Sequence, residues 1–303
     1  AFLFEPLQEC YLSKDENGRL IVAIALNDKS GLHDLPLIVL ENLELLPSAN
    51  CSLLSNGKAI SRSIYRITVK TIDQNLTSIL IRVLTNVLGG LPPSRSRLDV
   101  QANMNQLVEL FRALEKPPKK TIHGLWGELF IISQSSKIDS ALDSWHKDPN
   151  EIFDFKRGSS VLEVKCSLKN QRTHSFSLEQ LVTTSEVKFI AVASILTDET
   201  SKGVSVSELA EKIREKIKRI ENKIKFDAVL YSTLGSSWKE ADEVKFDIEK
   251  AGKTLRYFDS RVIPCIDQEV PQGISRVRFE SSLDLCSPLR EDQLNSEPVG
   301  DFL

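Results

Sequence analysis

The sequence predicts an α/β (α+β) protein built as two modules, β-rich first and mixed second. Two early segments, Arg19 to Leu26 and Ser63 to Lys70, are rich in β-branched and aromatic residues, and the second alternates as a half-buried strand does. Downstream, apolar runs alternate with segments whose apolar residues recur every three or four positions, the pattern of strands packed against helices. Between the two lies Lys116-Pro117-Pro118-Lys119-Lys120. Pro-Pro cannot continue a helix and pushes each preceding residue extended, so this is the boundary. At 303 residues the chain is comfortable for two domains of the usual ~100–200 residues, here 1–116 and 117–303.

Within the first module, Asp73 is placed to cap a helix through Leu76, Ile79, Leu80, Val83, Leu84 and Val87, with Gly89-Gly90 stopping it before Pro92-Pro93. A second helix presents Leu107, Leu110, Phe111 and Leu114 on one side. After the boundary, Gly124 to Ile132 reads as a helix despite its glycines, and Ile138, Ala141, Leu142 and Trp145 follow at helical spacing. Two short strands, Ile152 to Lys156 and Val161 to Cys166, flank the turn residues Arg157-Gly158-Ser159-Ser160. Val187 to Leu196 is apolar almost throughout, as a buried central strand is. Val206, Leu209, Ile213, Ile217, Ile220 and Ile224 mark one long amphipathic helix. Strands are expected at Phe226 to Ser232, Thr254 to Val262 and Arg276 to Glu280, with a loosely attached tail after about Ser287.

Composition narrows the function. With 41% hydrophobic and 27% charged residues the chain is an ordinary globular one. Five scattered cysteines without a C-x-x-C pair argue against a disulfide framework or a thiolate zinc site, and favour a reducing, cytoplasmic setting. His33, His123, His146 and His174 share no ligand spacing, so zinc is not expected. No apolar stretch approaches the ~20 residues of a membrane span, and none reads as a secretion signal. A net charge of −3 rules out a globally basic nucleic-acid binder and leaves a local patch open.

One constellation rises above background: Asp154, then Glu163-Val164-Lys165. E-x-K alone is uninformative, since it recurs at Glu186, Glu221 and Glu243. Only Glu163 and Lys165 fall inside a strand, where the i, i+2 relation puts both on one face and Leu162, Val164 and Cys166 on the other. If Arg157 to Ser160 form the loop, Lys156 faces Val161 and Asp154 lies opposite Glu163; a slip of two residues pairs Lys156 with Ser159 and preserves the face. Two carboxylates ~5 Å apart need a cation between them. A hard divalent ion such as Mg²⁺, which also binds phosphate oxygens, is the natural resident, and Lys165 beside it can orient water or neutralise charge on a phosphate. The competing reading is a surface hairpin with an exposed salt bridge worth at most ~1 kcal/mol.

The spacing Asp-x8-Glu-x-Lys on a hairpin resembles the PD-(D/E)xK nuclease motif. The words Gly124 to Leu129, Trp145, Phe153-Asp154-Phe155, Leu162 to Lys165 and Ser177 to Leu181 resemble the branch encoded near restriction-modification and phage-defence genes. The likeness covers residues 120 to 182 best, and departs from the motif name in having Phe153 where it has Pro. It implies a restriction-endonuclease-like domain, a central mixed sheet flanked by helices. It further implies Asp154 and Glu163 as metal ligands, Lys165 as the catalytic lysine, Glu128 as an added acid from the preceding helix, and Gln180 as a contact to metal-bound water or DNA. Glu128 facing solvent and Gln180 as a polar helix-start side chain remain the alternatives, and Trp126 and Trp145 read as core.

Between Lys156 and Arg172 five bases (Lys156, Arg157, Lys165, Lys169, Arg172) stand against one acid, Glu163, a strip suited to phosphate-backbone tracking. The expectation is a Mg²⁺-dependent DNA endonuclease, with Mn²⁺ as a substitute, working with protein partners in a restriction or defence complex. The alternative is an inactive nuclease-fold module that binds DNA or scaffolds a complex. The sequence leaves RNA as a substrate open.

Overall fold

The computed structural model describes residues 2–3, 10–25, 37–55, 58–70, 74–89, 97–146, 152–266, 270–290 and 293. Asp73, Gly90, Pro92-Pro93, His33 and the tail beyond 293 lie outside them. The chain divides into two compact units: 1–117 with 230–236, and 118–229 with 237–303.

In the first unit β1 (Phe2–Leu3), β2 (Cys10–Lys14), β3 (Leu20–Ala25), β4 (Ile38–Val39), β5 (Leu43–Ser55) and β6 (Lys58–Val69) form an antiparallel sheet ordered β1-β2-β3-β6-β5-β4. Pairing Val22 with Ile67 and Ile24 with Tyr65 puts four buried side chains on one face. Tyr11, Ala23, Ala25 and Ile64 cluster on the other. The expected helices follow as α1 (Gln74–Gly89) and α2 (Arg97–Leu114), which touch each other; Leu80, Leu84, Leu107 and Phe111 on them are buried.

The second unit opens with α3 (Ile122–Gln134) and α4 (Ile138–Ser144), then β7 (Phe155–Arg157), β8 (Ser160–Ser167), β9 (Thr173–Ser177) and β10 (Phe189–Leu196). After these come β11 (Glu199–Ser205), α5 (Val206–Lys216), α6 (Ile220–Leu234, of which 230–234 count with the first unit), α7 (Glu240–Glu243), β12 (Lys245–Phe246), α8 (Ile248–Thr254), β13 (Arg256–Asp259) and β14 (Arg278–Ser282). The central sheet, ordered β13-β10-β8-β7, is mixed: β8 and β10 are parallel, the outer pairs antiparallel. This α/β arrangement fits the central mixed sheet flanked by helices that the resemblance implies. The apolar run becomes β10, buried from Phe189 to Ile195 because both faces are covered. Helix α3 covers the face of Val164 and Cys166, and β9, paired with β14, sets Phe176 against Val192 on the other.

Gly127 is what lets α3 approach. A Cβ built there would lie 2.8 Å from Cys166 Cβ and 3.5 Å from Val164 Cγ1. Gly→Ala in a helix normally gains up to about 1 kcal/mol, whereas overpacking costs about 1–3 kcal/mol. Gly127→Ala is therefore expected to lower stability in a urea melt, and a gain would disprove the close approach.

Three expectations need correction. The long amphipathic helix is broken: Ile217 is extended, and the backbone N–H groups of Lys218 and Arg219 donate to the Asp139 carboxylate at 3.1 and 3.3 Å. An acid from α4 thus satisfies amides where the chain restarts as α6, a partner that periodicity cannot reveal. Phe226 to Ser232 is helical, not a strand. Short apolar runs fit either element, and here Asp227 faces the buried Arg214 at 2.9 Å while Phe226 lies against Trp145. The run at Thr254 shortens to β13 before a turn at Ser260–Val262. Among the described residues no helix is long and apolar enough to cross a membrane.

Candidate metal and catalytic site

The hairpin sets the site's parity. Gly158, at φ 61°, opens a two-residue Gly158-Ser159 turn, and Lys156 pairs with Val161, Arg157 with Ser160. This is the first of the two registers considered. It aligns Phe155 with Leu162, both fully buried, and leaves Asp154 on the face of Glu163. Asp154 sits just before β7, where Oδ2 accepts the Val164 N–H at 2.8 Å.

Glu128 comes from α3, whose start is capped by Thr121, the hydroxyl accepting the Gly124 N–H at 3.2 Å. It is buried rather than solvent-facing, at 1% exposure. Its Oε2 accepts from Trp145 Nε1 at 2.8 Å and meets His146 Nε2 at 2.8 Å; its Oε1 accepts from Lys120. The Lys120 ammonium also reaches Asp154 Oδ1 and so bridges the two acids. His146 adopts φ 38°, donates its backbone N–H to the Asp154 carbonyl at 3.0 Å, and places Nε2 4.0 Å from Asp154 Oδ1. Ligand atoms of Glu128, His146 and Asp154 lie within 4.8 Å of one another.

Glu163, 4% exposed, uses one oxygen: Oε1 accepts from Gln180 at 2.5 Å and from Lys165 at 2.8 Å. Its Oε2 is buried with no hydrogen-bond partner among the described residues. Gln180 Oε1 in turn accepts from Lys165 Nζ at 3.2 Å and the Ser177 N–H at 3.0 Å, so it holds the pair in place. Lys165 lies 4.9 Å from the Phe176 ring centroid.

Electrostatics follow from this geometry. Burial pushes Glu128 up, but Lys120 and His146 outweigh it and hold the carboxyl well below its usual range. Burial opposes the charge on Lys120, yet Asp154, Glu128 and Glu163 raise it far above the ordinary lysine value. For Glu163, burial and then repulsion from Asp154 prevail over Lys165 and Lys120, raising it to about 8. The folded state therefore binds a proton there that the unfolded chain releases near 4.5, so stability falls as pH rises toward 8. His174, lowered by burial to about 4 from 6.5, acts oppositely at lower pH, so the interval from 6.5 to 8 isolates the carboxyl. Melting temperature without divalent ions is expected to decline across that interval and to flatten in Glu163→Gln; equal slopes would exclude Glu163 as the source.

These residues share a groove of about 1050 Å³ in the second unit, with Glu128, Asp154, Glu163, Lys165, His146 and Gln180 in its lining. The rim differs from the expected basic strip. Lys169 lines it, joined by Lys119, Arg276 and Arg278, all exposed and without an ion pair among the described residues. Lys156 and Arg157 lie on the hairpin outside it, Arg157 donating to Ser140 Oγ at 2.9 Å. The Arg172 guanidinium binds Ser194 O at 2.8 Å and Oγ at 2.9 Å, and the Thr254 carbonyl, tying β10 to α8. Sequence reasoning missed Lys120 and His146, though Lys120 ends the proline-flanked boundary and His146 adjoins Trp145.

The donor set fits a divalent cation. An ammonium already fills the cation's role between two buried acids, and the free Glu163 oxygen lacks a partner. Among proteins of known family, the family described as "Putative PD-(D/E)XK family member, (DUF4420)" matches residues 12–284. No curated protein and no solved structure matches the chain. With nearly its whole length matched, and the Asp154, Glu163 and Lys165 hairpin in place, the chain belongs to this PD-(D/E)XK-type family.

Proposed function

We propose that the chain is a divalent-metal-dependent nuclease that hydrolyses phosphodiester bonds in DNA, as a subunit of a restriction or phage-defence system. The observation that carries this reading is the buried, unpartnered Glu163 Oε2 beside Asp154 and Lys165 in an open groove. Leaving a buried carboxylate oxygen unpaired costs free energy that a cation would recover. Asp154 and Glu163 would hold the ion, with Glu128 from α3 as the third acid. When bound, the ion supplies Lewis acidity toward a phosphate oxygen and acidifies a water.

The chain's own residues supply the rest. Glu163 Oε1 and Gln180 fix the Lys165 ammonium from two sides, which orients it to place a water or to offset charge growing on the phosphate. Gln180 thus acts as a positioning residue. Lys119, Lys169, Arg276 and Arg278 give the groove a cationic rim suited to a nucleic-acid backbone. The overall charge of −3 is consistent with partner proteins supplying target recognition.

The test is incubation of purified protein, alone and with co-encoded partners, with plasmid DNA and RNA in Mg²⁺, Mn²⁺ or EDTA. Cleavage of DNA that EDTA abolishes is the expected result. The scaffold reading expects no metal binding and no cleavage under any of these conditions. A preference for RNA would revise the substrate and keep the chemistry.

A further inference from the structure

The acids of the groove were legible in the sequence, but the imidazole among them was not. We infer that His146 is a nitrogen ligand of the metal centre, and that it biases the centre toward Mn²⁺-class ions over Mg²⁺. This rests on the metal-dependent reading of the same site and adds to it a ligand and a selectivity.

The spacing is the first support. His146 Nε2 lies 2.8 Å from Glu128 Oε2 and 4.0 Å from Asp154 Oδ1. Two ligands each ~2.1 Å from a common ion sit about 3 to 4 Å apart. The second support is independent of the cluster: Glu163, 4% exposed, brings into the same groove an oxygen without a partner. A third is access, since Lys120, the present counter-cation, is 31% exposed at its side chain and lies outside α3.

Chemistry then sets the preference. Mg²⁺ is satisfied by oxygen and water, and gains little from an imidazole. Mn²⁺ binds nitrogen more readily, and affinity for mixed oxygen and nitrogen sites rises along the transition series from manganese. Ligation needs the Nε2 lone pair, so the loaded imidazole carries its proton on Nδ1.

The experiment is pulsed electron paramagnetic resonance on the full chain loaded with Mn²⁺, with calorimetric titration of Mn²⁺ and Mg²⁺. The wild type is expected to show ¹⁴N modulation from a directly bound imidazole. His146→Asn tolerates the left-handed backbone and supplies oxygen in place of nitrogen. It is expected to lose the modulation and to weaken Mn²⁺ binding about tenfold or more, with Mg²⁺ affinity changed less than about threefold. Mn²⁺ bound without ¹⁴N modulation, or modulation that survives in His146→Asn, overturns the ligand assignment and leaves the nuclease reading standing. No Mn²⁺ binding at all overturns both.

Discussion

Asp154→Asn and Glu163→Gln are each expected to lower DNA cleavage about 10²- to 10³-fold while the protein stays folded. Removing one preorganised electrostatic contact to a transition state costs about 3–4 kcal/mol, and every 1.36 kcal/mol is tenfold in rate. Asparagine keeps an oxygen for the Val164 N–H, and glutamine keeps one for Lys165 and Gln180, so the hairpin's hydrogen bonds survive. What each variant loses is the negative charge that binds a cation. Glu163→Gln keeps neutral the carboxyl that burial and Asp154 already hold protonated in the metal-free protein, so its melting temperature near neutral pH should hold. Lys165→Met is expected to reduce turnover with metal affinity retained, because the lysine contacts Glu163 rather than replacing it. Full cleavage by the Asp154→Asn, Glu163→Gln double variant would sink the site.

The second large effect concerns Lys120. Its ammonium bridges Glu128, 1% exposed, and Asp154, 3% exposed, so Lys120→Met strands two buried carboxylates together. Breaking a buried ion pair by removing one partner costs about 3–5 kcal/mol. Because the lysine is about a third exposed, the lower end applies, roughly 3 kcal/mol in metal-free protein. A divalent ion can take the vacated place, so Mn²⁺ should restore most of the loss and bind more tightly than to wild type. Chemical denaturation with and without the ion measures both. Unchanged stability without metal would show that the ammonium is incidental to the two acids.

Much of the site was legible because it rests on local rules. A strand alternates its faces, so Glu163 and Lys165 share one and Val164 takes the other. Gly158 supplies the positive φ of a two-residue turn, and that turn fixes the parity that brings Asp154 to Glu163. Glu128 stood out as a charge in an otherwise apolar helix, and its burial follows from that helix being covered on all sides. The apolar run that became β10 and the break at Pro117-Pro118 follow equally from composition along the chain.

Other features depended on partners far away in sequence. The amphipathic pattern continues past Lys216, yet the helix stops where Asp139 captures the amides of Lys218 and Arg219. Phe226 to Ser232 took helical form because it extends α6, with Asp227 meeting Arg214. The Arg172 guanidinium reaches Ser194 on β10, a partner 22 positions away that spacing does not announce. His146 and Lys120, 26 residues apart, meet on Glu128 of α3, which lies close on β8 at Gly127. The sequence alone determined the face, spacing and sign of the acids on the hairpin, since backbone geometry repeats every two residues. Tertiary structure decided which cation and which imidazole join them, because long-range packing, and not local period, sets the distance between an arriving helix and a strand.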